Sequence, residues 1–159
     1  MAWTNSKIFS SFLTDVLNNT TAMDLNTDAL LEVALFNNTG TPDQTTTSAL
    51  SAYAAAASQW VTANGVSDAT GWPPLGRPLA SVTSGFTTNV YTFDAADTVS
   101  ANATTTLAGA YGCLVYDHSI ATPVADQGIC FNYFGGTQSV TSGTFTVVWN
   151  ASGIMTMTL

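Results

Sequence analysis

Charged residues are scarce in this sequence. Only 8% of its residues are charged, against about 25% in an ordinary soluble domain. Lys7 and Arg77 are the only basic residues and are outnumbered by ten acidic residues, which gives a formal net charge of -8. A chain with so few cations cannot neutralise phosphates, so we expect it to bind neither nucleic acid nor an anionic membrane surface.

Long apolar runs and a secretory leader are also missing. No window approaches the roughly 20 apolar residues of a membrane-spanning helix, and the N-terminal residues lead into an amphipathic stretch rather than an apolar leader core. We therefore predict synthesis in a cytoplasm. In that compartment Cys113 and Cys130 are expected to be buried thiols, with a disulfide between neighbouring strands as the open alternative.

Residues suited to catalysis or metal binding are few. His118 is the only histidine, so one chain cannot form a histidine-based metal cluster, and its neighbour Asp117 is interpreted as structural. Asp94 and Asp97 are typical of a tight turn, and the apolar surroundings of Cys113 favour an inert thiol. We predict no catalytic, cofactor-binding or metal-ligating residue, and no enzyme activity.

A calcium loop is suggested by one segment and then excluded. Residues 24–28 match the first half of such a loop. Ala29 stands where glycine is needed, and Leu35 stands where a bidentate glutamate closes the site. We reject the match.

Apolar and hydroxyl side chains take the place of charge. Hydrophobic residues make up 46% of the chain, and Thr, Ser and Asn are abundant. Burying a hydroxyl-rich surface against a partner costs less desolvation energy than burying one rich in Lys and Glu, and interface cores are depleted of charge. We predict a protein that assembles with copies of itself and with other proteins; an acidic, Thr-rich monomer is the alternative.

Helical periodicity is clearest near the N-terminus. Apolar residues recur at helical spacing from Ile8 to Leu17 and form one broad stripe. Thr4 or Asn5 is expected to cap the helix, and Asn18 to end it. Such a stripe docks on a sheet of the same chain or on a neighbouring subunit.

Two further elements are predicted before the first proline-rich segment. Residues 30–36 indicate a strand that is buried on both faces. The alanine-rich run 49–57 indicates a second helix, with Thr47 or Ser48 as its cap. A connector without regular structure is expected at 71–78, because it contains three prolines and two glycines.

The remaining half is typical of short β-strands separated by turns, with 134–136 and 141–143 among the turn signals. We predict a mainly β, antiparallel, jelly-roll-like β-sandwich with an N-terminal helix and one further short helix. It forms a single domain over 1–159, with a helix-containing part at 1–70 and a β-rich part at 79–159. The predicted strands are 79–83, 90–93, 104–107, 112–116, 128–134, 144–148 and 154–159.

Large side chains near the N-terminus and the connector are candidate contact residues. Trp3 and Trp72 are interpreted as interface anchors, since Trp is favoured at the centre of interfaces. Ile8, Phe9 and Phe12 of the predicted helix are expected to contact a neighbour. Burial of these residues in the core of the same chain is the alternative.

The sequence contains five segments that match a known group of proteins, 1–9, 35–43, 112–117, 122–128 and 131–140. They resemble small virion structural proteins of tailed bacteriophages. The resemblance implies a head component of the capsid decoration or cement type, made in the bacterial cytoplasm and located on the capsid surface of the virion. It implies the major capsid protein and copies of itself as partners, a homo-oligomeric state and no cofactor. A tail-tube or tail-fibre component is the alternative in the same class, and a glycan-binding adhesion module that uses Trp72 or a tyrosine for stacking is the alternative in another.

Overall fold

The structure is a computed structural model that describes residues 3–27 and 30–159. Positions 28 and 29, which belong to the rejected calcium loop, lie outside the described residues. The described chain is mainly β and contains two α-helices, α1 (Ser10–Leu17) and α2 (Ser48–Ser51). The strands are β1 (Lys7–Ile8), β2 (Leu31–Phe36), β3 (Gly65–Val66), β4 (Arg77–Pro78), β5 (Ala80–Thr87), β6 (Val90–Ala96), β7 (Thr98–Val99), β8 (Thr105–Asp117), β9 (Gly128–Gly143), β10 (Thr146–Val147) and β11 (Met155–Thr158).

Three antiparallel sheets organise these strands. The main sheet has the order β1-β9-β8-β2-β3, with β4 also paired to β2. A second sheet has the order β11-β6-β5, and β10 pairs with β7. Together with α1 and α2 they confirm the predicted mainly β, antiparallel, sandwich-like fold with an N-terminal helix and one further short helix.

β2 lies in the middle of the core. It pairs with β8 on one edge and with β3 and β4 on the other. Every residue of β2 is buried except Glu32, which is half-buried, so the prediction of a strand buried on both faces is confirmed. Buried residues from both halves of the chain, among them Phe9, Trp60 and Leu114, belong to one hydrophobic cluster.

The N-terminal helix begins later than its periodicity indicates. The two residues of β1 pair with β9, and the Phe9 N–H donates to the Ile129 carbonyl oxygen at 3.1 Å. α1 therefore starts at Ser10, and the predicted caps Thr4 and Asn5 lie outside it. Pairing with β9 satisfies the backbone groups before Ser10, and this tertiary contact outweighs the local helical preference.

The second helix is shorter than predicted. Thr47 caps α2 as expected, because its hydroxyl accepts a hydrogen bond from the Leu50 N–H at 3.4 Å. The rest of the alanine-rich run is not helical. Ala54 has a φ of 60°, and its N–H donates to the Trp60 carbonyl oxygen at 3.0 Å instead of to a helical neighbour.

β8 and β9 are longer than the strands predicted for this region. β8 joins the predicted strands 104–107 and 112–116, and β9 runs through the predicted turns 134–136 and 141–143. Gly135 and Gly136 take positive φ values of 78° and 155°. They are accommodated within β9 because the pairing register with β8 shifts there.

The connector 71–78 is not wholly irregular. Arg77 and Pro78 form β4, which pairs with β2 opposite Val33 and Glu32. A proline is tolerated in such a position because β4 is a short edge strand whose outer N–H needs no partner in the sheet.

The Asp68 side chain links the loop that precedes the connector to strand β8 by hydrogen bonds. Its carboxylate accepts hydrogen bonds from the N–H groups of Thr106 at 2.9 Å, Gly71 at 2.8 Å and Thr70 at 3.0 Å. Because these hydrogen bonds favour the ionised form, they lower the pKa of Asp68 from 3.8 to about 2.

Asp68→Asn is expected to lower the melting temperature at neutral pH, since the amide nitrogen that replaces one carboxylate oxygen cannot accept a hydrogen bond and the remaining oxygen carries no negative charge. The folded-state pKa lies below the ordinary value, so the stabilisation is present above about pH 3.8 and is lost as the pH falls toward about 2. Thermal unfolding at several pH values should show the difference from wild type shrinking over that window. Asp94→Asn is the control, because the Asp94 carboxylate has no hydrogen bond within the described residues; an equal effect there would contradict the prediction.

Candidate functional site

Four of the five predicted contact residues lie in the core of the chain itself. Trp3, Phe9, Phe12 and Trp72 are buried, and Ile8 is half-buried in β1. The structure therefore corrects the prediction for the four buried residues. They stabilise this chain and are not exposed to a neighbour.

Packing and hydrogen bonding explain why the two tryptophans are buried. The Trp3 ring meets the Trp60 ring edge-on, with 5.5 Å between the ring centroids. The Trp72 indole N–H donates to the Val33 carbonyl oxygen at 3.0 Å, and its ring centroid lies 5.7 Å from that of Phe145. Trp72 consequently presents no ring for stacking on a sugar.

Tyr111 and Tyr133 form an aromatic pair between β8 and β9. Their ring centroids are 5.2 Å apart, and both side chains are half-buried. Paired tyrosines combine an apolar ring with a hydroxyl and suit contacts with amphipathic ligands. Since Trp72 is buried, the alternative of a glycan-binding module would depend on a tyrosine such as these.

The last turn of α1 presents apolar side chains to solvent. Phe12 and Leu13 pack against the core, whereas Val16 is 39% exposed and Leu17 is 83% exposed. The apolar stripe predicted for this helix is thus divided. The side chains of its first part pack against the core of the chain, and those of its last part are exposed to solvent.

The sheet β11-β6-β5 carries a second open apolar surface. Tyr91 of β6 lies in register between Phe86 of β5 and Met157 of β11, and Phe86 is 54% exposed. Two residues further along the strands, Phe93 and Met155 are paired and fully buried. One face of this sheet therefore belongs to the core at one end and to the surface at the other.

An apolar groove of about 410 Å³ lies between α1 and this sheet. None of its lining side chains is charged, and only Tyr91 carries a hydroxyl. A contiguous apolar surface of this kind, concave and partly exposed, marks an interaction site rather than scattered surface residues. The apolar groove is lined by Phe12, Leu13, Val16, Leu17, Leu25, Phe86, Tyr91, Met155, Met157 and Leu159.

Two acidic residues are neighbours in sequence of residues that line the apolar groove, and their carboxylates accept hydrogen bonds within the chain. The Asp15 carboxylate accepts from the Ser48 hydroxyl at 2.5 Å and from the Gln127 side-chain amide at 2.7 Å. The Asp24 carboxylate accepts from the Thr27 hydroxyl at 2.6 Å. These carboxylates are engaged within the chain, and the side chains that line the apolar groove include no charged group.

The residues considered for catalysis do not converge on one site. His118 Nδ1 lies 2.7 Å from Asp126 Oδ1, while its neighbour Asp117 accepts from the Ser119 hydroxyl at 2.6 Å. Burial raises the pKa of the Cys113 thiol well above its ordinary value, which keeps the sulfur protonated. Within the described residues, no group of three His, Cys, Asp or Glu could hold a metal ion.

The structure also tests the predictions for the two cysteines and for the turn at Asp94 and Asp97. Cys113 and Cys130 are free and buried, which confirms the prediction of thiols. Asp94 belongs to β6, where it pairs with Thr83, so the predicted turn is wrong. Asp97 follows β6, and its carboxylate accepts a hydrogen bond from the backbone N–H of residue 149 at 3.0 Å.

Comparison with models of protein families, with curated proteins and with solved structures finds no match. No helix in the described part of the chain is long and apolar enough to span a membrane. The resemblance to phage virion proteins stays a prediction from the sequence.

The sheet side of the apolar groove was not anticipated from the sequence. Met155, Met157 and Leu159 alternate with Thr156 and Thr158, a pattern that predicts one apolar strand face. The pattern does not distinguish a face in the core from a face in a groove. That distinction depends on which segments pack against the face in the folded chain.

Proposed function

We propose that this protein is a virion structural protein that binds the major capsid lattice as a decoration or cement protein and stabilises the head. The observation that carries the proposal is the apolar groove, in which Leu17 and Phe86 are exposed on a chain with few charged residues. Exposure of such a surface has a cost in solubility. A partner that covers it explains why it is present.

The proposed partner in the groove is an uncharged, apolar segment of a capsid subunit. An uncharged segment fits best because the side chains that line the apolar groove include no charged group that could form an ion pair with it. Each contact contributes about 25 cal/mol per Å² of apolar surface removed from water. Repetition over a symmetric lattice multiplies a modest contact into a large stabilisation of the shell.

Leu17→Lys is expected to weaken the affinity for virus particles, measured by cosedimentation over a range of concentrations, by at least about tenfold, which corresponds to about 1.4 kcal/mol. The substitution places an unpaired charge in the groove. It should leave the fold intact, because Leu17 is 83% exposed and a cation at the last turn of a helix interacts favourably with the helix dipole.

Val148→Lys is the matched control, since Val148 is 72% exposed and lies outside the apolar groove. We expect this variant to sediment with particles as wild type does. Equal binding of both variants would refute the groove as the contact, and absence of the wild-type protein from purified particles would refute the function. Electron microscopy of the particles then distinguishes binding to the head from incorporation in the tail.

A further inference from the structure

The outer edge of β11 has backbone groups without a partner strand. The Leu159 N–H donates to the Asn89 carbonyl oxygen at 2.9 Å, which continues the register of β11 with β6. Hydrogen-bonded and non-hydrogen-bonded pairs alternate along an antiparallel ladder. The N–H and C=O groups of Thr156 and Thr158 therefore point away from β6, and among the described residues no strand pairs with them.

Three other edge strands, β5, β1 and β4, carry features that hinder pairing with a further strand, and β11 does not. β5, at the opposite edge of the same sheet, has a register shift after Ala80, and its Ser84 N–H donates to the Asn26 side-chain oxygen at 3.2 Å. In the main sheet, the edge strand β1 carries Lys7 and β4 carries Pro78. Bulges, lysines and prolines are devices that prevent edge-to-edge pairing. β11 has none of them, and its register with β6 is continuous.

We infer that β11 pairs antiparallel with β11 of a second copy, so that the two β11-β6-β5 sheets join into one sheet across a twofold axis. A register centred on Met157 sets Thr156 opposite Thr158 of the second copy, where their outward N–H and C=O groups bond to each other. The same register sets Met157 against Met157 and Met155 against Leu159 on the apolar face.

Charge and side-chain pattern favour a second copy as the occupant. β11 and the apolar groove beside it contain no charged side chain, so the two paired strands set no like charges opposite each other even though each chain carries a formal charge of -8. The alternation of Met and Thr is self-complementary, since antiparallel pairing matches Thr with Thr on one face and apolar residues on the other. An interface of this kind is isologous and closes as a dimer.

The pairing goes beyond the proposed function and does not depend on what the apolar groove binds. It would place the two grooves side by side on one face of the joined sheet. A capsid-bound dimer would then contact two neighbouring shell segments at once, which raises the effective concentration of the second contact.

Thr156→Pro is expected to convert the dimer into a monomer of 16.5 kDa. Proline removes an N–H that points away from β6, so the pairing within the chain is preserved. Thr156→Val keeps the N–H and the β-branched shape, and it should remain dimeric. Sedimentation equilibrium from micromolar to submillimolar concentration measures the mass of each, and far-UV circular dichroism checks that each variant is folded.

Hydrogen exchange provides a test that needs no variant. The amides of Thr156 and Thr158 should be protected at high concentration of the wild-type protein and become exchangeable on dilution. A wild-type monomer at every concentration, a Thr156→Pro variant that stays dimeric, or a dimer with unprotected Thr156 and Thr158 amides would each overturn the inference. Leu17→Lys should remain dimeric, so failure of the pairing and failure of particle binding are separable.

Discussion

Trp60→Ala is expected to lower the free energy of unfolding by about 3–5 kcal/mol, the range observed when a buried Trp or Phe is truncated. Trp60 is fully buried, and its ring packs against four other aromatic rings. The distances between ring centroids are 5.0 Å to Phe36, 5.5 Å to Trp3, 5.8 Å to Phe131 and 6.0 Å to Phe9. Removing the indole would leave a cavity that these rings can fill only in part.

Urea unfolding followed by circular dichroism measures this loss. Phe86→Ala is the control, because Phe86 is an aromatic residue that is 54% exposed and its truncation leaves no enclosed cavity. We expect its effect to be well below that of Trp60→Ala. Equal losses for the two variants would mean that the cluster around Trp60 does not hold the core together.

Gly112→Ala is expected to destabilise the fold by about 1–3 kcal/mol, the usual cost of overpacking a core. A Cβ atom at this position of β8 would overlap the Trp3 ring and lie 2.5 Å from the Asn132 carbonyl oxygen. The Asn132 oxygen belongs to the backbone of β9 and cannot rotate away. Either the Trp3 ring or the central strand pair has to move.

Gly85→Ala in β5 is the matched control for this substitution. A Cβ atom at Gly85 would meet no atom within 4 Å, so we expect a change within about 0.5 kcal/mol, as for an ordinary surface substitution. Thermal and urea unfolding of both variants decide the matter. A neutral Gly112→Ala would contradict the close approach of Trp3 to β8.

Local sequence patterns predict correctly those helices and strands whose tertiary contacts agree with the intrinsic preference of their residues. The apolar run in β2 predicted a buried strand, and the Thr47 cap predicted the start of α2; both are confirmed. The same reasoning extended the helix over Ala54 and started α1 before Ser10. Those errors share one cause, since backbone hydrogen bonds to distant segments override helix preferences of a few tenths of a kcal/mol per residue.

The candidate site could be predicted only in part. The apolar stripe that ends at Leu17 and the alternation of Met155 and Met157 were both visible as patterns. The patterns do not show which of these residues are buried in the core and which are exposed. Because a pattern cannot make this distinction, the sequence also predicts Trp3 and Trp72 at an interface. Tryptophan is favoured both in protein cores and at protein interfaces, so its presence in a sequence does not distinguish the two locations.

By itself, the sequence determined the scarcity of charge, the mainly β character and the presence of apolar strand and helix faces, because these follow from composition and from periodicity along the chain. The tertiary structure alone decided that Trp3 and Trp72 are interior and that Leu17 and Phe86 border an open groove. Burial depends on which segments meet in space. The end of α1 and the strands of the β11-β6-β5 sheet come from segments far apart in the sequence, and only the folded chain brings them together as the walls of the apolar groove.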